Sequence, residues 1–357
     1  MIVGIASADH LRADRSPDGI EKWGGAGWAR LGQYVPHFQE AGLNPVVGIL
    51  WQQDDGLYIE NDKGTKVRPD IVIIQRLMHA TVDEASRFGQ SKGQVVINDV
   101  DDWYWGLDPR NAAFKASHPK LNTQENTTYY AKAIAASSFI TTSTPYLAQR
   151  LQKRVNCPIV LLPNYIDVSR FTPVTQSAEP TIGWAGSTEH RSGDLEVLRG
   201  VLGPVARDHG YKVHHGGAYL DGALQFHDLV GMEEDEVTTA PRCLAEDYPG
   251  LLTFDVGIVP LRESPFNHAK SAIKGLEYAA SGIPFVASDS DSYVKLWEKW
   301  DREGFFIAQR PNEWRRHLAR LRDLNLRLEI QATLLDRVQE FDIAYGAERW
   351  INLLEGA

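Results

Sequence analysis

Short apolar runs alternate with longer amphipathic ones along almost the whole chain. "MIVGIAS", "NPVVGILW", "PDIVIIQR", "GQVVINDVDD", "SFITTST" and "PIVLLPN" are rich in β-branched residues and read as strands. Between them, "GGAGWARLGQYVPHFQEAG" carries Leu31, Val35 and Phe38 near helical spacing, and "NTTYYAKAIAAS" and "PYLAQRLQKRV" also read as helices. A stretch from about Tyr165 to Glu179, with Pro173 inside it, has little apolar periodicity and reads as a linker. The alternation then restarts. "PTIGWAGS", "YKVHHGG", "FDVGIVPL" and "IPFVASD" are strands, and "GDLEVLRGVLGPVARDHG" is a helix closed by Gly210. From Asn312 onward the pattern is helical. Apolar strands alternating with helices predict parallel sheets covered on both faces. The expected architecture is two doubly wound α/β domains, with ligands at the carboxyl ends of the strands.

Length supports that division, because 357 residues exceed one average core. A formal net charge of −10 argues against nucleic acid or an anionic membrane as a partner. Two cysteines, Cys157 and Cys243, sit far apart and form no CxxC, which fits a reducing compartment. No apolar run has the length of a membrane span, and "MIVGIASADH" lacks the basic start of a signal peptide. The expected location is cytoplasmic.

Candidate chemistry concentrates in "SPFNHAKSAIKGLEYAASGIPFVASD". The pattern predicts one helix capped by Asn267, ended by Gly282 and stopped by Pro284. Lys270, Lys274 and Glu277 then fall on one face, and Ile273, Leu276 and Ala280 on another. The strand "DVGIVPL" precedes it, so the helix start stands at a strand's carboxyl end, where free N–H groups and the dipole suit phosphate. Lys270 and Ser271 would add a charge and a donor, and Glu277 would accept hydrogen bonds from a ribose diol. A solvated polar face is the plainer alternative.

These residues resemble the nucleotide-sugar site of glycosyltransferases with the GT-B fold, family 4 and its near relatives. Glu277 matches that family's ribose-binding Glu in its "LEY-A-A-x-G-I-P" setting. "GGAGWARLG" resembles the acceptor-side glycine loop, "LLPNYIDVSRFTP" the hinge between domains, and "IGWAGSTEH" the opening loop of the second domain. The resemblance runs over nearly the whole length. It implies an acceptor-side domain at 1–165, a donor domain at 166–335, and a terminal helix at 336–357 returning to the first domain. It further implies a hexosyltransferase that uses a nucleotide-diphosphate sugar, retains anomeric configuration, and needs no further cofactor and no metal. Its donor side would comprise Gly186, Ser187, His190, Gly231, Phe266, Asn267, Ser271, Lys274 and Glu277. Catalysis would fall to Lys270, Arg191 and His79. The acceptor, a glycan, protein or small molecule, would meet Gly24, Gly25, Arg76, Asp101, Asp102 and Trp103. The chain departs from the family at Ala269, where many members carry a second Glu eight residues before the first.

The aspartates of "NDVDDWYWGLDP" suit Mg²⁺ or Mn²⁺, but an acceptor-facing or structural loop is preferred. His214 and His215 are adjacent on a strand, so they face opposite ways and do not form a zinc pair. "EWRRHLARLRDLNLRLE" reads as a solvated helical face. Three other functions fit the same fold. They are transfer to a modified DNA base, non-catalytic sugar or nucleotide binding, and epimerisation of a nucleotide sugar.

Overall fold

The protein is described here from a computed structural model covering residues 1–111, 113–117, 125–189, 193–218 and 225–357. It divides into two compact units. The first comprises residues 1–105, 115–165 and 343–357; the second comprises 106–114 and 166–342. Residues 106–114, early in the chain, therefore group with the second unit.

The first unit holds a parallel sheet of β1 (Ile2–Ser7), β2 (Asn44–Val47), β3 (Ile71–Gln75), β4 (Val95–Val100), β5 (Phe139–Thr142) and β6 (Ile159–Leu161). Their spatial order is β6-β5-β4-β3-β1-β2. Period-two alternation fills both faces. Val3, Ile5, Ile71, Ile73 and Ile97 pack on one side against Leu31, Phe38 and the terminal helix Ile343–Glu355, through Ala347, Trp350 and Leu354. Ala6, Val72, Ile74 and Val96 pack on the other side against Leu57, Ile59, Val82 and Ala133. Leu57 and Ile59 belong to a small antiparallel meander of Ile49–Gln53, Gly56–Glu60 and Lys66–Val67. The run "NPVVGILW" is thus two strands, not one. The chain leaves the main sheet at Gly48, where a side chain would strike the Glu60 carbonyl at 2.0 Å.

The second unit repeats the plan. Its strands are β7 (Thr181–Ala185), β8 (Lys212–Ala218), β9 (Val237–Pro241), β10 (Val256–Val259), β11 (Phe285–Ser288) and β12 (Phe305–Ala308). All pair in parallel, in the order β9-β8-β7-β10-β11-β12. This is the order of a dinucleotide-binding fold, reversing direction between β7 and β10. The sequence pattern did not disclose β9 and β12, which are short edge strands. The expected long helix after Asp194 is a 3-10 turn, Leu195–Leu198, followed by a helix at Leu202–His209 that Gly210 closes with φ 66°. Among the described residues no helix is long and apolar enough to cross a membrane.

Candidate functional site

The segment after β10 departs from the expected single helix. Ser264, not Asn267, provides the cap, its Oγ accepting from the Asn267 N–H at 3.1 Å. A short helix, Pro265–Ala269, then ends at Lys270, whose backbone is extended (φ −65°, ψ 146°). A second helix, Ile273–Ala280, starts afresh with no side chain capping it. Lys270 and Ser271 therefore lie in the break before the second helix. They do not share a helical face with Lys274 and Glu277.

Asn267 is buried and structural. Its amide donates to Asp194 Oδ1 at 2.6 Å and to the Arg262 carbonyl at 2.8 Å, tying the loop after β10 to residue 194. Phe266 is buried too, and the Lys270 ammonium stands 4.8 Å from its ring centre. Ser292 holds the Lys270 carbonyl at 2.5 Å, which fixes the break. At the far end, Gly282 takes φ 61° after Ser281, as the Gly-Ile-Pro stop predicts.

Lys274 and Glu277 meet a third residue that the sequence did not single out, Tyr248. Lys274 donates to the Tyr248 hydroxyl at 2.9 Å and to the Ala185 carbonyl at the end of β7. Its ammonium also lies 5.6 Å from the Trp184 ring. Glu277 hydrogen-bonds Tyr248. Burial pushes the Glu277 carboxyl up to about 7, against the opposing pull of Lys274 and the Tyr248 hydrogen bond. Burial and Glu277 together raise the Tyr248 phenol well above its ordinary value. The triad sits at the carboxyl end of β7, beside the reversal point of the sheet. Tyr248 carried no signal in "EDYPGLL", because its partners are distant in sequence.

Gly186 follows β7 and comes close to Gly217 of β8. A side chain on Gly217, which has φ 93°, would press the Gly186 carbonyl at 3.2 Å. That carbonyl accepts from His215 Nε2 at 2.9 Å. His215 packs against both Trp184 and Phe226, which also meet each other, and burial lowers its imidazole to about 4, so it stays neutral and holds the loop. His214 faces the other way, 2.9 Å from Thr238. Ser187 lies just beyond, its hydroxyl accepting from the Glu189 N–H at 3.2 Å. His190 and Arg191 lie outside the described residues. Gly231 is another residue expected on the donor side. It is the left-handed C-cap (φ 71°) of helix Phe226–Val230 and stands ahead of β9, at that strand's amino end.

In the first unit, the carboxyl edge of the sheet collects Asp9, Arg76, Asp99, Asp101 and Asp102. Asp99 is fully buried and paired with Arg30, Nη2 to Oδ1 at 2.7 Å and Nε to Oδ2 at 3.1 Å. Thr141 also donates to it at 2.7 Å. Arg30 is saturated by the Leu162 carbonyl and Asn164. Asp99 is thus structural. The Gly24–Gly25 loop wraps Asp9, whose backbone carbonyl accepts from Gly24 N at 2.6 Å and whose carboxylate accepts from Gly27 N at 3.1 Å. Arg76 adopts φ 59° and reaches Asp9 at 2.5 Å and the Tyr104 ring at 5.4 Å.

Asp101 is buried, and among the described residues its Oδ1 has no partner, nor do the hydroxyls of Tyr104 and Tyr130. Burial and then Asp102 push its carboxyl up to about 7, while Arg76 pulls the other way. Trp103 is 6% exposed, packed on Trp105 at 4.9 Å and under Arg154 at 5.0 Å, so it offers no open face to a sugar. His79 is exposed, with Nδ1 3.0 Å from the Thr81 hydroxyl. Among the described residues no cluster of three His, Cys, Asp or Glu side chains is arranged to hold a metal.

No family model matches the chain. No curated protein matches it in sequence. Solved structures do match in shape. Sucrose-phosphate synthase from Thermosynechococcus elongatus aligns over 99% of this chain and 98% of its own, at 13% identity and TM-score 0.66. HepE from Anabaena, in complex with UDP and glucose, aligns over 100% and 99%, at 11% identity and TM-score 0.66. The E. coli trehalose-6-phosphate structure bound with UDP-2-fluoro glucose aligns over 99% of each chain, at 12% identity and TM-score 0.59. Two six-stranded parallel sheets flanked by helices, alignable end to end with these structures, are the GT-B fold of the nucleotide-sugar glycosyltransferases.

Proposed function

We propose that the protein is a glycosyltransferase that moves a hexose from a nucleotide-diphosphate sugar to an acceptor, with retention of anomeric configuration. The observation that carries this reading is the Glu277–Tyr248–Lys274 triad at the carboxyl end of β7, next to the start of an eight-residue helix. A carboxylate steadied by a phenol and an ammonium suits a ribose diol. The uncapped helix start, with Lys270 and Ser271 just ahead of it, suits a diphosphate. Negative charge grows on the leaving diphosphate in the transition state, and these groups would stabilise it. Lys270 would act on that charge, while Lys274 would act mainly by orienting Glu277 and Tyr248. The UDP-containing complexes among the structures of like fold support a uridine nucleotide as the first donor to try.

The first unit would present the acceptor. Asp101, Asp102 and Arg76 support that assignment by their place at the carboxyl edge of its sheet. Trp103 is withdrawn from it by its packing.

Calorimetry with UDP and UDP-glucose tests the reading. Glu277→Gln should weaken both on the order of tenfold to a hundredfold, the cost of losing a charged acceptor, about 1.5–3 kcal/mol. Wild-type affinity in that variant would put the nucleotide elsewhere.

A further inference from the structure

The first unit contains a cavity of about 460 Å³ at the carboxyl end of its sheet. Ala6 and Ser7 at the end of β1, Gly48 just after β2, and Leu77 and His79 just after β3 all line it. In the order β6-β5-β4-β3-β1-β2, the chain leaves β1 toward one edge and returns at β3 on the other side. Open α/β sheets bind ligands at such a reversal, outside the carboxyl ends of the strands. The volume lies in the range of small-molecule pockets, roughly 300–1,000 Å³.

The lining has two parts. Leu11, Leu50, Trp51, Leu77 and Val82 give apolar walls, and Leu11 and Trp51 are among the few large apolar side chains left exposed, at 39% and 42%. Lys66 covers one face of the Trp51 ring at 3.9 Å. The charged part is entirely basic. Arg12, Arg15, His10 and His79 line the cavity, and among the described residues no carboxylate does, in a chain of net charge −10. Arg12 is already neutralised by Asp14 at 2.7 Å and Glu60 at 3.0 Å, and His10 meets Glu21 at 2.6 Å. The Arg15 side chain is exposed and makes no hydrogen bond or ion pair among the described residues. It is the cation left over for a ligand.

We infer that this cavity is an acceptor subsite additional to Asp101, Asp102 and Arg76, none of which lines it, and that it takes an aromatic group bearing one anionic substituent, with the ring against Trp51 and Leu77 and the anion on Arg15. The inference rests on the glycosyltransferase reading for the word acceptor, but not for the chemistry of the ligand. An aromatic ring gains most from a rigid apolar wall, and an exposed cation selects charge while adding modest affinity.

Two fluorescent probes test it on the full chain: anilinonaphthalene sulfonate, an aromatic anion, and phenylnaphthylamine, its neutral counterpart. Both should bind saturably, the anion more tightly at low salt. Arg15→Ala should weaken the anion about fivefold and leave the neutral probe unchanged. Raising ionic strength should act on the wild type in the same way. Thr81→Trp and Gln52→Trp, at exposed rim positions, should each remove binding of both probes. Circular dichroism confirms which rim variant is folded, and one folded variant suffices. Probe binding that survives the rim block, or that saturating UDP displaces, would overturn the assignment. So would equal loss of both probes in Arg15→Ala. UDP binding is measured separately. If UDP fails to bind while the probes behave as described, the donor reading fails and the aromatic-anion site stands.

Discussion

Two carboxyls, one in each unit, are raised to about 7, and they get there in different company. Glu277 sits beside an ammonium and a phenol that both favour its ionised form, so burial alone lifts it. Asp101 is lifted by burial and by Asp102, Asp99 and Asp9 as well, with Arg76 and Arg30 opposing them. Glu277 has Tyr248 as a hydrogen-bond partner and the charge of Lys274 nearby. Asp101 has an oxygen with no partner among the described residues, beside two tyrosine hydroxyls in the same condition. The first arrangement suits a ligand that brings hydroxyl donors, as the proposed function requires. The second holds a proton more readily than a charge, and its charge is expensive to the fold. Position at a strand's carboxyl end is common to both, so position alone does not separate them; the partners do.

The largest effect should come from Asp99, which sharpens the contrast by lying two residues from Asp101. Its charge is met by Arg30 and Thr141 in a fully buried setting. Arg30→Met removes the counter-charge and leaves Asp99 stranded. The expected loss is about 3–5 kcal/mol, read as a lower midpoint in urea. A loss below about 1 kcal/mol would mean that the pair is not what closes this edge of the sheet.

Asp101→Asn should do the opposite. A folded-state value raised from 3.8 to about 7 means that the folded protein keeps a proton the unfolded chain has released. Stability from this group is therefore complete below the unfolded value, falls as pH rises through the interval, and is flat above it. The variant removes that dependence. At about pH 8 it should be more stable than the wild type, by at most about 4 kcal/mol. At about pH 4 the two should melt together. Melting curves at both pH values check this. A variant that is destabilised at the higher pH would show Asp101 to be an ion-pair partner of Arg76.

Much of this contrast was hidden from the sequence for a physical reason. Both sheets were legible, because "PDIVIIQR" and "FDVGIVPL" are buried on both faces and leave a continuous apolar run. Edge strands such as Val237–Pro241 are half exposed and leave no such run. The Gly282 stop was legible because its left-handed backbone favours one residue type. The break at Lys270 was not, since neither Lys nor Ser forbids a helix there; the Ser264 cap and the Asn267–Asp194 bond impose it. Glu277 could be singled out within its helix. Tyr248 and the Arg30–Asp99 pair could not, because their partners are brought together only by the fold.

On the donor side, Lys270→Ala separates the two lysines. Lys270 stands in the extended break ahead of the second helix, whereas Lys274 is engaged by Tyr248 and Ala185. Charge on the leaving diphosphate is greater in the transition state than in the bound donor. Loss of Lys270 should therefore lower the single-turnover rate on the order of tenfold to a hundredfold while UDP affinity changes less than about threefold. Equal losses in rate and affinity would make Lys270 a uniform binder of the nucleotide.

The smallest effect should be that of chelation, and it tests the comparison at its root. A divalent cation needs carboxylates that are free to turn toward it. In the first unit Asp99 is held by Arg30, and Asp9 by Arg76 and the Gly27 N–H. Asp101 prefers its proton up to about pH 7. In the second unit the groups nearest the proposed diphosphate are Lys270, Ser271 and a helix start, which repel a cation and attract the phosphates directly. Turnover with EDTA should match turnover without it. Loss of activity that Mg²⁺ or Mn²⁺ restores would return Asp101 and Asp102 to the role of ligands, and would make the first unit's carboxyls, not the second unit's cations, the partners of the donor.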